Sequence, residues 1–313
     1  MTDLNTTTFT LEDLRARADG LGPMPSEVRL AVLGSPVAHS LSPPMQNAGL
    51  EALGKETRYA KIECPPEHLP EAVSLARRAG FAGLNLTIPH KFAALELCTE
   101  VDDPARLLGA VNTLLFDGEH ITGFNTDGPG LVRAIREAFG MDLRDLRIMI
   151  IGAGGGAGSA AALQCALEKC PRLVLANRTV AKAHDVAKKA EQLLLSDRLE
   201  GPDDRLTVIP LEAGPLREQL ARTDLVINAT SIGMKRSDQP LVPASLLTPD
   251  LMVYDMIYRP PVTRLLEEAR AAGARIANGL PMLLHQGALS LEIWTNRPAP
   301  LDAMRAVLDK AAA

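Results

Sequence analysis

Apolar positions along this chain follow two rhythms. Short runs that are apolar throughout or at alternate positions predict strands over 28–34 (VRLAVLG), 58–63 (RYAKIE), 83–88 (GLNLTI), 110–116 (AVNTLLF) and 120–125 (HITGFN). Longer stretches with apolar residues every three or four positions predict helices over 43–54, 66–80 and 128–140. A second series follows. RIMII leads into a glycine loop and an Ala-rich helix, and strands are expected at 172–178, 205–210, 224–230 and 251–256, with a helix across 180–195. Runs this continuously apolar fit strands buried on both faces, as in a parallel sheet. The last fifty residues read as largely helical, and no internal repeat is present. Residues 1–26 read as a leading appendage, with Thr10 and Asp13 framing a capping box before LEDLRARADGL and Gly22–Pro25 ending that helix.

Strands alternating with helices over 313 residues give an α/β chain of about two domains. Hydrophobic residues at 46% and charged residues at 23% are ordinary for a globular protein. A net charge of -5 with 3% aromatic residues offers no surface for nucleic acid and no polybasic stretch for a membrane. Neither a membrane span nor an export or organelle signal is visible, so a cytoplasmic location is expected. Cys64, Cys98, Cys165 and Cys170 are scattered without CxxC spacing or a neighbouring histidine cluster. They read as reduced thiols, with no metal site.

GAGGGA at 152–157 follows a strand, opens a helix and matches G-x-G-x-x-A. In that context Gly152 makes a tight turn, Gly154 lets backbone approach a pyrophosphate, and Ala157 permits close helix packing. The N–H groups of the helix start then face the phosphates. A dinucleotide that carries only a ribose hydroxyl asks for Asp or Glu at the end of the second strand. This chain has Asn177, Arg178 and Thr179 there, and a guanidinium suits a 2′-phosphate, so NADP(H) is the expected cofactor.

The first half also holds polar residues in apolar or turn surroundings. Ser40 and Ser42 lie in AHSLSPP, Asn85, Thr87 and Lys91 in NLTIPHK, Asn112 in AVNTLL, and Asp127 ends GFNTD. Buried amides and hydroxyls need partners, so several in strands imply bonds to each other or to a ligand. Paired hydroxyls at a helix start suit a carboxylate, and an Asp with a Lys suits proton transfer. Each alone has a plainer reading: Ser42 or Asp127 as a helix cap, Asn112 bonded to nearby backbone, Lys91 as a first-turn residue.

In order and spacing, GSPVAHSLSP, NLTIPHK, GAVNTL, GFNTDG, GAGGGA, ANRT, NATSIGM, VYDMIYRPPVTRLL and NGLPMLLHQGA resemble the shikimate dehydrogenase family across roughly residues 28 to 295. The resemblance implies an N-terminal α/β substrate domain, a Rossmann-type NADP-binding domain, and C-terminal helices returning to the first. The boundaries expected are 27–127 with 264–313 for substrate, 128–263 for NADP, and 1–26 as an extension. It implies reversible reduction of 3-dehydroshikimate to shikimate. Lys91 and Asp127 match the catalytic pair, and Ser40 and Ser42 the groups on the substrate carboxylate. Tyr258 matches a residue near that carboxylate, while Asn85, Thr87, Asn112 and Gln286 match contacts to ring hydroxyls or neighbouring groups. Cofactor contacts fall on Gly152, Ala153, Gly154, Gly155, Gly156, Ala157, Asn177, Arg178, Thr179, Thr230, Ile257 and Gly279. Gln46 departs from a frequent His, Ser159 from a frequent Arg, and NRPAP (296–300) from a glycine after the tryptophan.

Three rivals stand beside this reading. An NAD-using quinate/shikimate dehydrogenase would go with an acidic residue in place of Arg178 and a changed second serine. An aminoshikimate-type relative would share the ring contacts. A non-catalytic ligand sensor would have lost Lys91, Asp127 or the glycine loop. Monomer and homodimer are both compatible with the sequence.

Overall fold

The computed structural model describes residues 3–195 and 205–312. Met1, Thr2, 196–204 and Ala313, which belong to the extension and domains expected above, lie outside the described residues. The chain divides into two compact units, 1–130 with 283–311 and 131–282.

The first unit opens with strand β1 (Thr8–Phe9) and helix α1 (Leu11–Ala18). Thr10 Oγ1 accepts from Asp13 N at 3.2 Å while Asp13 Oδ2 accepts from Thr10 N at 2.8 Å, the capping box that the sequence predicts. These residues do not stand apart from the fold. β1 pairs in parallel with β3, and Phe9, Leu11, Leu14 and Met24 are buried in the unit's core. Period alone could not reveal this, because a two-residue strand carries no alternation.

Next come β2 (Val28–Gly34), α2 (Ser42–Ala52), β3 (Arg58–Glu63), α3 (Leu69–Arg78), β4 (Gly83–Leu86), β5 (Glu100–Val101), α4 (Asp103–Leu108), β6 (Thr113–Asp117) and β7 (His120–Phe124); α5 (Asp127–Phe139) has its first turn in this unit and the rest in the second. The predicted helix over 66–80 is a 3-10 turn, Pro66–His68, running into α3. α3 buries Leu69, Ala72, Val73 and Ala76, spaced as one helical stripe. The sheet runs β1-β3-β2-β4-β6-β7-β5, parallel through β4, with β4–β6 and β6–β7 antiparallel.

The second unit contains β8 (Arg147–Ile151), α6 (Gly156–Leu167), β9 (Arg172–Ala176), α7 (Val180–Leu195), β10 (Leu206–Ile209), α8 (Ala213–Leu220), β11 (Leu225–Asn228), β12 (Met252–Asp255), α9 (Arg264–Ala271) and β13 (Arg275–Ala277). All six strands are parallel in the order β10-β9-β8-β11-β12-β13. Strand order reverses beside β8, the switch point where such sheets hold ligands at their carboxyl ends. The second unit ends at Met282, compared with the expected 263, because β13 still pairs with β12 and α9 packs on this sheet.

α10 (Leu280–Thr295) and α11 (Leu301–Ala312) complete the chain, the first unit resuming at Leu283. Trp294 on α10 donates Nε1–H to Leu114 O at 2.9 Å, and its ring centroid lies 6.0 Å from that of Tyr59. Gly83 leaves room for this indole: a Cβ there would stand 2.2 Å from Trp294 Nε1.

Candidate functional site

Lys91 follows the TIPH turn after β4, and Asp127 is the first residue of α5. They form an ion pair, Nζ to Oδ2, at 2.6 Å, with 28% and 14% of their side chains exposed. Asp127 does not cap its own helix. Asn125 Oδ1 accepts from Asp127 N at 3.1 Å and Gly128 N at 3.3 Å, which leaves the Asp127 carboxylate for Lys91. Its other oxygen, Oδ1, accepts from Asn112 Nδ2 at 3.0 Å.

Asn112 sits where β6 begins and is 2% exposed. Its Oδ1 accepts from Thr126 N at 2.8 Å and Thr113 Oγ1 at 3.0 Å, while Nδ2 also reaches Thr126 Oγ1 at 2.9 Å and Gln286 Oε1 at 3.5 Å. The bonds to neighbouring backbone are thus part of a larger network that ends on Asp127. Asn85 on β4 belongs to it too. Its Nδ2 donates to Asn112 O, Thr113 Oγ1 and Ser290 Oγ at 3.1, 3.0 and 3.0 Å, and its Oδ1 accepts from Tyr59 OH at 2.7 Å. The amide N–H groups of Asn85 are therefore spent on protein acceptors.

Sequence reasoning missed Thr113, Thr126 and Ser290 in this network. Ser290 Oγ lies 2.8 Å from Thr113 Oγ1 and 3.2 Å from Thr126 Oγ1. The available signal was hydroxyls beside NTL and NTD, and a serine in an apolar helix.

Ser40 and Ser42 lie at the start of α2. The cap position is Leu41, without a side-chain bond, so the Ser42 hydroxyl is not the helix cap. Ser42 N donates to Ser40 Oγ at 3.2 Å. Ser35 N donates to Ile88 O at 3.0 Å, so the serine segment and the TIPHK turn are neighbours. Thr87 is half-buried, its methyl 2.3 Å from where a Gly34 Cβ would stand. Gln46 is buried and donates to Gly287 O at 2.9 Å, one residue from Gln286.

In the second unit the glycine loop makes the turn expected. Gly152 has φ +87°, and a Cβ there would stand 2.4 Å from Thr230 Cγ2. A Cβ on Gly154 would meet Asn177 Nδ2 and Lys182 Cβ, both at 2.7 Å. Asn177 Oδ1 accepts from Gly154 N at 3.4 Å, and its Nδ2 donates to Thr179 O at 2.8 Å. The close helix packing falls one residue later than expected. Ala157 is exposed, whereas a Cβ on buried Gly158 would stand 2.2 Å from Gly152 O. α6 starts at Gly156 with Gly155 as an unadorned cap, so its first N–H groups have no side-chain acceptor. This cradle of small residues under free N–H groups fits a pyrophosphate.

Arg178 and Thr179 are exposed beyond β9, and Lys182, missed from the sequence, adds a second exposed cation on the first turn of α7. Thr230 Oγ1 donates to Asn228 Oδ1 at 2.8 Å. Gly279 N donates to Ile257 O at 3.2 Å, and a Cβ on Gly279 would overlap Met256 O at 2.1 Å. Tyr258 is half-buried; burial raises its phenol above the ordinary value, against the lowering effect of Arg259.

All four cysteines are free. Among the described residues no cluster of His, Cys, Asp or Glu could hold a metal, and no helix is long and apolar enough to cross a membrane.

Three family models match the chain: the shikimate dehydrogenase substrate binding domain over residues 32–114, shikimate / quinate 5-dehydrogenase over 133–239, and the shikimate 5'-dehydrogenase C-terminal domain over 279–308. A protein of Methanopyrus kandleri named shikimate dehydrogenase (NADP(+)) is 43% identical over 283 residues, 90% of this chain and 94% of that one. A crystal structure of a shikimate dehydrogenase in complex with NADP+ aligns with TM-score 0.83 and 34% identity, covering 93% of this chain and 98% of its own. The Thermus thermophilus shikimate 5-dehydrogenase in complex with NADP(H) and shikimate aligns with TM-score 0.78 and 37% identity, covering 91% and 99%.

Proposed function

The chain belongs to the shikimate dehydrogenase family, and from that premise we propose that its first unit binds substrate, its second binds NADP(H), and Lys91 with Asp127 handles the proton. The reaction is the reversible, NADP-dependent reduction of 3-dehydroshikimate to shikimate, an oxidoreductase step in aromatic amino acid biosynthesis. A cytoplasmic location is part of the same proposal.

One observation carries the residue assignment. The Lys91–Asp127 ion pair sits at the end of a buried amide and hydroxyl network, on the same unit as Ser40 and Ser42. When bound, the nicotinamide supplies the hydride for the carbonyl carbon. The carbonyl oxygen then gains negative charge, and Lys91 Nζ stabilises it and donates the proton that completes the hydroxyl. In the oxidative direction Nζ takes that proton back. Asp127 Oδ2 fixes the amine's position, and Asn112 fixes Asp127 through Oδ1. Ser40 and Ser42 hold the substrate carboxylate. Thr87 and Gln286 meet the ring hydroxyls, Asn112 adjoins them chiefly by holding Asp127, and Asn85 acts chiefly by holding Asn112 and Thr113.

On the cofactor side, Gly152, Ala153, Gly154, Gly155, Gly156 and Ala157 take the pyrophosphate. Asn177, Arg178 and Thr179, with Lys182, take the ribose 2′-phosphate, while Thr230, Ile257 and Gly279 line the remaining contacts.

Steady-state rates for shikimate and quinate against NADP+ and NAD+ test the reading. High kcat/KM confined to shikimate with NADP+ is expected; comparable quinate or NAD+ turnover would move the protein to the quinate-using branch, and no turnover would indicate a ligand sensor. Lys91→Ala should lower kcat about 10²–10⁴-fold with a smaller change in KM. A near-normal kcat would remove Lys91 from the chemistry.

A further inference from the structure

Two charged residues of β3 lie under the serine segment, and the functional assignment leaves both without a role. Lys61 and Glu63 are two apart, so the strand turns them to one face. Lys61 is 4% exposed, and its Nζ donates to Ala38 O at 2.7 Å. Glu63 Oε1 accepts from Ser35 Oγ at 2.7 Å, and Oε2 accepts from Val37 N at 3.0 Å. Val37 O in turn accepts from Ser40 N at 3.0 Å, and Ser40 Oγ from Ser42 N. Two bonds from one strand face therefore fix backbone groups of Val37 and Ala38, a third holds the Ser35 hydroxyl, and one further bond carries that order to Ser40.

An apolar side chain would fill the position of Lys61 without the cost of burying an ammonium. Burial does depress its proton affinity, with Asp3 acting weakly in the opposite sense. Yet Ala38 O takes only one N–H of Nζ, and Ala38 lies two residues before the first serine.

We infer that Lys61 and Glu63 are positioning residues for carboxylate recognition. Glu63 orders the turn that presents Ser40 and Ser42, and Lys61 both anchors Ala38 and biases that turn toward an anionic substrate. The inference rests on the proposed role of the two serines and adds to it a source of charge selectivity, since two hydroxyls alone favour an acid over its ester only weakly.

The test compares shikimate with its methyl ester, which keeps the ring and loses the charge. For Lys61→Met, KM for shikimate should rise about tenfold or more, equivalent to about 1.4 kcal/mol. kcat and KM for NADP+ should change little, and the ratio of kcat/KM for acid over ester should fall by a similar factor. Ser35→Ala, which removes one hydroxyl from Glu63 and no charge, should raise KM for acid and ester alike and leave the ratio near that of the wild type. If Lys61→Met does not fold, Lys61→Gln, which removes the charge but keeps a side-chain N–H for Ala38 O, carries the test, and an unchanged ratio overturns the inference. An equal loss for acid and ester in the Lys61 variant also overturns it, because general loosening does not distinguish charge. A wild-type protein that oxidises no shikimate fails at the earlier step and overturns the functional reading itself.

Discussion

Asn112 connects the catalytic carboxylate to the buried backbone, and its removal should register in both stability and rate. Asn112→Ala would leave Thr126 N and Asp127 Oδ1 without this partner, a loss of about 1–3 kcal/mol in stability. kcat should fall as Asp127 loses its second restraint, and urea titration with steady-state kinetics on one variant reads both. His90 gives a pH-dependent counterpart. It is 1% exposed, and its Nε2 bonds Cys64 O at 2.9 Å, anchoring the turn that bears Lys91. Burial lowers its pKa from 6.5, against smaller raising effects of Cys64 O and Glu63. Its contribution is therefore present above about pH 6.5 and lost as pH falls toward the lower folded value. The stability gap between wild type and His90→Gln should narrow between about pH 7.5 and about pH 5.5, as denaturant midpoints will show. The polar residues in NLTIPHK and AVNTL are visible in the sequence because a strand rarely hides an amide without reason. Their partners Ser290 and Tyr59 are not, since a hydroxyl on an apolar helix or strand reads as packing until the third dimension brings it to Asn85.

At the scale of elements, the strand–loop–helix of β8 and α6 is the most legible part of the chain, and its one displacement is instructive. The fingerprint counts residues, but close packing depends on where the first helical turn meets the loop. With α6 starting at Gly156, the residue facing Gly152 O is Gly158. Gly158→Ala should thus weaken NADP+ binding by about tenfold or more, whereas Ala157→Ser should leave it within about twofold; titration calorimetry on both compares them directly. Replacing Arg178 and Lys182 together by neutral residues should weaken NADP+ far more than NAD+. Equal losses would remove the 2′-phosphate assignment. The strand at 110–116 illustrates the opposite limit. β6 begins at Thr113, because the backbone N–H and C=O of Asn112 bond Phe124 O and Leu86 N outside the regular ladder. A pattern of apolar residues cannot reveal such an exchange.

Over the whole molecule, the alternation of elements made the α/β class legible, while the attachment of residues 1–26 was not. Phe9, Leu11, Leu14 and Met24 are all at most 4% exposed, and full burial of such side chains contributes about 1.5–3 kcal/mol each. Four of them together are comparable with the net stability of a typical domain, about 5–15 kcal/mol. A chain beginning at Val28 should accordingly lose shikimate turnover and the cooperative unfolding of its first unit, yet keep NADP+ binding by the second. Thiol chemistry should respect the same packing. Burial pushes Cys64 and Cys98 up to about 11 and Cys170 up to about 12, so the native protein should resist alkylation near neutral pH and react once unfolded.

The chain has one tryptophan, and Trp294 reports from one address: bonded to Leu114 O beside Tyr59, whose hydroxyl leads to Asn85. Its fluorescence is in effect a private channel to the first unit. Emission should shift when shikimate is added, and should stay silent while the second unit alone melts. Far-ultraviolet circular dichroism sees both sheets, so a gap between the two denaturation midpoints would measure how independently the halves unfold.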